Sequence, residues 1–298
     1  MNKEIHFKSG FISIIGRPNV GKSTLLNAIL GEKIAIISNK PQTTRNRILG
    51  VKNLPQAQLI FLDTPGIHKP RHKLGEAMVR TALEACKEVD LVLLMVEPEE
   101  PTHEDRHIIE TIRSTKRPLF LLINKIDTVA KQKMLPLIEQ YNKISDFSEI
   151  IPISALKLDN IDRLLETIIK YIPEGPKYYP DEIVTDQLER FMVSEIIREK
   201  IMEQTKEEIP YSVAVVVEEF SEGERLISIR ALIYVERDSQ KGILIGKGGR
   251  MLKEIGTLAR KDIEGLLGTK VFLELWVRVK KDWRQDERVL REFGYKGL

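Results

Sequence analysis

The first half of the chain alternates two kinds of hydrophobic pattern. Unbroken apolar runs recur at 11–15 (FISII), 58–63 (QLIFLD), 90–96 (DLVLLMV), 118–124 (PLFLLIN) and 149–154 (EIIPIS). Helix-periodic stretches lie between them at 22–30, 76–88, 103–115, 131–143 and 160–170. A strand that reads as a continuous apolar run is covered on both faces, so the pattern predicts a doubly wound, mostly parallel α/β sheet up to about residue 172.

Periodicity is lost in "IPEGPKYYPDEI", 172–183, where three prolines and a glycine fall within twelve residues. This linker divides the chain into domains 1–178 and 179–298. Beyond it the order changes. A long helix is predicted over 184–206, then two strands in "YSVAVVVEEF" and "RLISIRALIYVE" separated by "SEGE". A glycine-rich turn leads into a helix at about 249–266, followed by a strand in "KVFLELWVRV" and a charged helix at 282–292. Such an order predicts an α+β layer with one sheet face covered.

Composition narrows the class. With 298 residues, 42% hydrophobic and 31% charged, the chain can bury two cores beneath a polar surface. Its single cysteine, Cys86, cannot close an internal disulfide and reads as packing, which fits a reducing compartment. Met1 to Gly10 is polar and charged, unlike a secretory signal, and the run "LVLLMV" is far too short to span a bilayer, so a cytosolic protein is expected. The net charge of +3 hides an asymmetry: 183–236 holds 6 Lys+Arg against 12 Asp+Glu, whereas 237–298 holds 15 against 9. A polyanion would prefer that last segment.

"GRPNVGKS", Gly16 to Ser23, matches G-x-x-x-x-G-K-[ST] between a strand and a helix, the context in which that motif cradles phosphate. Gly16, Arg17, Pro18, Asn19, Val20 and Gly21 form the loop, and Thr24 follows it. Backbone N–H groups from about Asn19 to Ser23 face the β-phosphate; Lys22 supplies charge to the β- and γ-phosphates, and the Ser23 hydroxyl ligates Mg²⁺. "LIFLDTPG" ends a strand on Asp63, whose carboxylate can hold a water on Mg²⁺, and continues through Thr64 and Pro65 to Gly66, whose N–H can meet the γ-phosphate. "KPQTTRNR", Lys40 to Arg47, offers two threonines for Mg²⁺ and the γ-phosphate, Thr44 preferred and Thr43 the alternative.

"NKID" decides the base. Asn124, Lys125 and Asp127 sit at the C-terminal end of a strand, where ligands of such sheets bind. A carboxylate there accepts from both N1–H and the 2-amino group of guanine; adenine offers neither donor, a difference of about 10⁴-fold. "SAL", Ser154, Ala155 and Leu156, follows the last strand, and the Ala155 N–H would read guanine O6. The motifs together define a GTP site with Lys22, Thr44, Asp63 and Gly66 at the reacting end.

"GRPNVGKS", "PQTTR", "DTPG", "NKID" and "SAL" in this order resemble the Era family of GTPases, which act in ribosome assembly. The resemblance implies a potassium ion held beside the phosphates with help from Asn19. Ile67 follows "DTPG" where Ras-like enzymes place a water-orienting glutamine, so intrinsic hydrolysis is expected to be slow.

"ILIGKGGRMLKEI", 243–255, sets the second glycine turn between an apolar, strand-like end and a helix. It lacks the Lys-Ser/Thr of a phosphate loop, and no base-reading "NKxD" follows it. Gly246, Lys247, Gly248 and Gly249 match G-x-x-G between helices, the KH signature, in which a bare loop lets about four nucleotides of sugar-phosphate backbone approach. Lys247, Arg250 and Lys253 would meet phosphates, and Ile243 to Ile245 would floor the bases. The element order resembles the type II KH fold, and "VKKDWRQDERVLREFGY" resembles the end of Era proteins, so the resemblance spans the whole chain. It implies binding to single-stranded RNA near the 3′ end of the 16S rRNA, work on the 30S subunit, a monomeric protein and a peripheral tendency toward the inner face of the cell membrane.

Other signals are set aside. "HEDRH", His103 to His107, matches H-E-x-x-H, but Pro101-Thr102 place it in the first turn of a helix and no histidine follows His107. Trp276 and Trp283 are expected in core or helix docking rather than stacked on bases. A switch whose RNA affinity follows nucleotide state and an RNA-binding scaffold with incidental hydrolysis both fit the motifs.

Overall fold

The computed structural model describes residues 7–38 and 40–295. The first domain runs β1 (Lys8–Gly16), α1 (Lys22–Leu30), β2 (Ile48–Leu54), β3 (Ala57–Asp63), α2 (Lys73–Glu84), β4 (Leu91–Val96), α3 (His103–Arg113), β5 (Leu119–Ile123), α4 (Met134–Asn142), β6 (Glu149–Pro152) and α5 (Ile161–Tyr171). Its sheet has the order β2-β3-β1-β4-β5-β6, parallel except for the antiparallel edge strand β2. In register, Ile12 lies beside Phe61 and Ile14 beside Leu93. Alternate residues of β1 feed opposite cores. Ile12 and Ile14 pack with Leu25 and Leu26 of α1, while Ile15 packs with Ala82 of α2 and Ile109 of α3.

β2 was not apparent in the sequence pattern. Its first four residues are buried and its last three half-buried, as befits an edge, and the Pro55-Gln56 turn folds it back on β3. The linker is strapped down rather than free. Ser9 N–H donates to Pro173 C=O (3.2 Å), Val51 N–H to Val184 C=O (2.8 Å), and Gln58 Oε1 accepts from the N–H groups of Tyr178 and Tyr179. The predicted helix over 184–206 therefore begins later.

The second unit runs α6 (Glu189–Gln204), α7 (Ile209–Ser212), β7 (Ala214–Glu222), β8 (Ile227–Val235), α8 (Asp238–Ile245), α9 (Arg250–Leu267), β9 (Val271–Val279) and α10 (Glu287–Glu292). The sheet β7-β8-β9 is antiparallel then parallel, and α6 and α9 cover one face. The glycine turn lies between two helices, α8 and α9, as the expected element order has it, and the apolar end that looks strand-like in the sequence is the last turn of α8. Leu244 is buried in the core and Ile243 points outward, a helical rather than an alternating distribution. Trp283 is fully buried between the domains, on Leu74 and Met78 of α2 and Leu290 of α10, as docking requires. Trp276 corrects its expectation: it is 54% exposed on the open sheet face.

Candidate functional site

α1 begins where the glycine-rich loop turns. Its first backbone bond runs from Leu25 N–H to Gly21 C=O at 2.9 Å, so the N–H groups of the preceding turn face the cleft. Gly21 has φ +100°, and a Cβ there would lie 2.3 Å from Asn124 Nδ2, so only glycine allows this approach. The cleft has a volume of about 610 Å³, large enough for a nucleotide. It is lined by Pro18, Asn19, Gly21, Lys22, Ser23 and Thr24 from the loop, by Thr43, Thr44 and Gly66, and by Asn124, Lys125, Asp127, Ser154 and Leu156.

Lys22 is buried and donates to the carbonyls of Arg17 (2.9 Å) and Gly16 (3.3 Å). Burial lowers its pKa to about 8, opposed by the charge of Asp63, so at neutral pH it is still mostly cationic. Asp63 is pushed up to about 6 by burial, with Lys22, Ser23, Thr44 and the Thr64 N–H pulling it back. Ser23 Oγ donates to Asp63 Oδ2 (2.6 Å) and lies 2.9 Å from Thr44 Oγ1, which is itself 3.4 Å from the same carboxylate oxygen. Asp63 Oδ1 is buried with no hydrogen-bond partner. Two hydroxyls and a carboxylate with an orphan oxygen form a hard-oxygen set that fits Mg²⁺. Of the two candidate threonines, Thr44 meets this cluster, while Thr43 Oγ donates to Lys40 C=O (2.6 Å).

Three residues expected at the GTP site use their side chains inside the fold. Arg17 does not point its side chain at phosphate: Nε donates to Asp105 Oδ1 (2.8 Å) and Nη2 to Glu99 (2.5 Å), which pins the loop to α3. Val20 is a core residue that contributes only its backbone. Asn124 lines the cleft and also works inside the fold. Its Nδ2 donates to Val20 C=O (2.8 Å) and its Oδ1 accepts from Ala155 N–H (2.9 Å), stapling the phosphate loop to the last loop of the site. Asp127 is exposed at the cleft and oriented by Ser154 Oγ (2.6 Å); Lys125, in left-handed backbone, pairs with Glu97. Thr64 Oγ ties β3 to Ile14 C=O (2.8 Å), and Pro65 is buried behind it. Ile67 is buried in the sheet core and its N–H donates to Gly16 C=O (3.1 Å), so no side chain there can orient water.

The second glycine turn is a 3₁₀ turn, Lys247–Gly249, between α8 and α9. Gly246 has φ +71°, and a Cβ would come within 2.8 Å of Met251 Cβ. Lys247, Gly248, Arg250 and Lys253 are exposed. Beside the turn lies a groove of about 490 Å³, lined by Gly249, Leu252, Lys253, Gly256, Thr257 and Arg260 along one face of α9 and by Leu273 and Leu275 of β9. Its apolar floor is Leu252, Leu273 and Leu275 rather than Ile243–Ile245, because Leu244 and Ile245 turn into the core as α8 winds. Sequence reasoning missed Gly256, Thr257 and Arg260, although their spacing from Gly249 is that of one helical face. "HEDRH" begins α3 behind a Thr102 cap, and no group of three or more His, Cys, Asp or Glu placed to hold a metal ion occurs among the described residues.

A phosphate-loop GTPase domain joined to a KH domain is the class these two sites define. A profile described as "50S ribosome-binding GTPase" matches residues 11–125, and one described as "KH domain" matches 208–284. GTPase Era of Syntrophus aciditrophicus is 58% identical over 98% of this chain and 96% of its own; that of Heliobacterium modesticaldum is 56% identical over 97% of each. A crystal structure of Era in complex with MgGDPNP and nucleotides 1506–1542 of 16S ribosomal RNA superposes with TM-score 0.96 at 46% identity, covering 98% of this chain and all of that one. A substituted Era of Aquifex aeolicus bound to GDP.AlF4⁻ matches at TM-score 0.95 and 46% identity, covering 97% of this chain and all of that one. The chain belongs to the Era family of GTPases.

Proposed function

We propose that this GTPase is a switch that binds the 3′-end region of 16S rRNA in the α9–β9 groove, with affinity set by the nucleotide in the first domain, during assembly of the 30S subunit. The observation that carries this reading is the pairing of a closed Ser23–Thr44–Asp63 cluster with a bare G-x-x-G turn and groove in one chain. The RNA bound by the solved Era structure supports it.

Lys22 and the N–H groups before Leu25 bind the phosphates, and Asp127 selects guanine with Ala155 N–H at O6. Ser23 and Thr44 would hold Mg²⁺ directly and Asp63 through water; bound there, the ion neutralises charge developing on the β- and γ-phosphates. Gly66 N–H meets the γ-phosphate. Asn19, at φ +65° on the loop, would share a K⁺ beside the phosphates. With Ile67 buried, water is positioned by backbone and ions, and intrinsic turnover is slow. Among the described residues no helix is long and apolar enough to cross a membrane, and we place the protein in the cytosol as a monomer whose membrane contact is peripheral.

The experiment is an equilibrium titration of a single-stranded RNA with the 3′-end sequence of 16S rRNA, in GDP and in a non-hydrolysable GTP analogue. A switch shows different affinities and, by reciprocity, an RNA-dependent change in nucleotide affinity. Equal affinities would make the protein a scaffold.

A further inference from the structure

Thr44 is bracketed by contacts that the second domain makes to its two neighbours. On one side, the Thr43 carbonyl accepts from Arg198 Nη2 of α6. Arg198 is fully buried and held from behind by Glu195, at 2.8 Å to Nε and 2.5 Å to Nη2. On the other side, the buried Arg45 guanidinium reaches the α7 end. Nη1 donates to Val213 C=O (2.6 Å) and Tyr295 Oη (3.1 Å), and Nη2 donates to the carbonyls of Pro210 (3.2 Å) and Tyr211 (3.1 Å). Those are the carbonyls a helix end leaves without intrahelical partners, and a planar guanidinium can serve several at once.

The rest of the loop follows the same template. Ile37 N–H donates to Glu199 Oε1 (3.0 Å), Lys33 Nζ pairs with Glu199 Oε2 (2.6 Å), and Lys40 Nζ caps the carbonyls of Met202 and Thr205 at the C-terminal end of α6. Neither arginine lines the nucleotide cleft, so neither touches substrate. Both fix the backbone on either side of the one threonine whose hydroxyl meets Ser23 and Asp63.

We propose that Arg198 and Arg45 are positioning residues for GTP hydrolysis: the second domain is the template on which the segments 33–38 and 40–45 are held so that Thr44 faces the γ-phosphate end of the cleft. This rests on the Mg·GTP reading of that cleft and names which residues preorganise it. A loop already held in its bound shape loses less entropy when ligand arrives, so affinity rises without any new contact to ligand. GDP has no γ-phosphate for Thr44 to serve, so the effect is confined to the triphosphate.

The test is nucleotide binding by the full chain carrying Arg198→Gln, with Arg45→Lys as a second variant. Affinity for Mg²⁺ with a non-hydrolysable GTP analogue should fall about tenfold, the equivalent of one net hydrogen bond. GDP affinity should stay within about twofold, since its contacts lie on the phosphate loop and at Asp127. Arg198→Lys, which keeps one donor to the Thr43 carbonyl, should recover most of the loss. Parallel loss of both nucleotides in both variants would mark the arginines as merely structural and overturn the proposal, as would unchanged affinity for the triphosphate. Failure of the unsubstituted protein to bind either nucleotide would instead overturn the reading of the cleft.

Discussion

Asn124→Ala separates holding the site together from reading the base. The side chain makes two buried bonds, Nδ2 to Val20 C=O at 2.8 Å and Oδ1 from Ala155 N–H at 2.9 Å. Alanine leaves a carbonyl and an amide N–H unserved, and each such group costs about 1–3 kcal/mol when water cannot reach it. Asn124 lines the cleft, so water can enter after truncation, and the low end applies to both: about 2 kcal/mol in all. In a domain of this size that lowers Tm by roughly 4–8 °C. Asp127 is exposed, so Asp127→Ala should leave the melting curve of the nucleotide-free protein within about 1 °C while removing guanine affinity. The assay is thermal unfolding of both variants without nucleotide, followed by GDP titration. If Asn124→Ala melts like the unsubstituted protein but still loses GDP, the residue contacts the base and the staple is wrong.

Other consequences can be measured independently. Asp127→Asn should shift preference from guanosine to xanthosine nucleotides, because xanthine carries an oxygen where guanine carries the amino donor; retained guanine selectivity in a competition assay would remove Asp127 from that role. Mg²⁺-dependent nucleotide binding should weaken as pH falls through about 6, since a proton on the buried Asp63 competes with the cation. The same carboxyl is raised in the fold from 3.8, so its contribution to stability is present at low pH and lost on going up through about 6; a Mg²⁺ affinity flat across this range would contradict the assignment. Gly248→Asp should weaken RNA binding at least tenfold without slowing GTP turnover. Position 248 has φ +61°, which aspartate tolerates better than most residues, and nothing crowds its Cβ, so the change adds mainly a charge facing phosphate.

How much of this was legible in the sequence differed by element, for physical reasons. Strands covered on both faces announce themselves as continuous apolar runs, and β1, β3, β4 and β5 all did. β2 pairs on one edge only and carries a glycine and two polar residues among seven, so its pattern was too weak to separate from loop. α8 ends in Gly-Ile-Leu-Ile, a string with strand propensity; the core contact of Leu244 and the bare turn after it made it a helix against that local preference. The phosphate loop, Asp63, Asp127 and the G-x-x-G turn were readable because their spacing is local. The stapling bonds of Asn124 and the docking of Arg45 were not, because their partners lie 31 and 104 residues away in one case and 165 to 250 in the other. Contacts across the domain boundary leave no periodicity in the chain.

Photocrosslinking tests the division between the two glycine turns most directly. A single-stranded RNA with photoreactive bases, bound to the full chain with Mg²⁺ and a GTP analogue, is irradiated and the adducts are mapped by mass spectrometry. The account predicts RNA adducts on the Lys247–Arg260 face and at Leu273 or Leu275, with none on the loop from Gly16 to Ser23. Adducts confined to the open sheet face around Phe272 and Trp276, or to the nucleotide cleft, would contradict it.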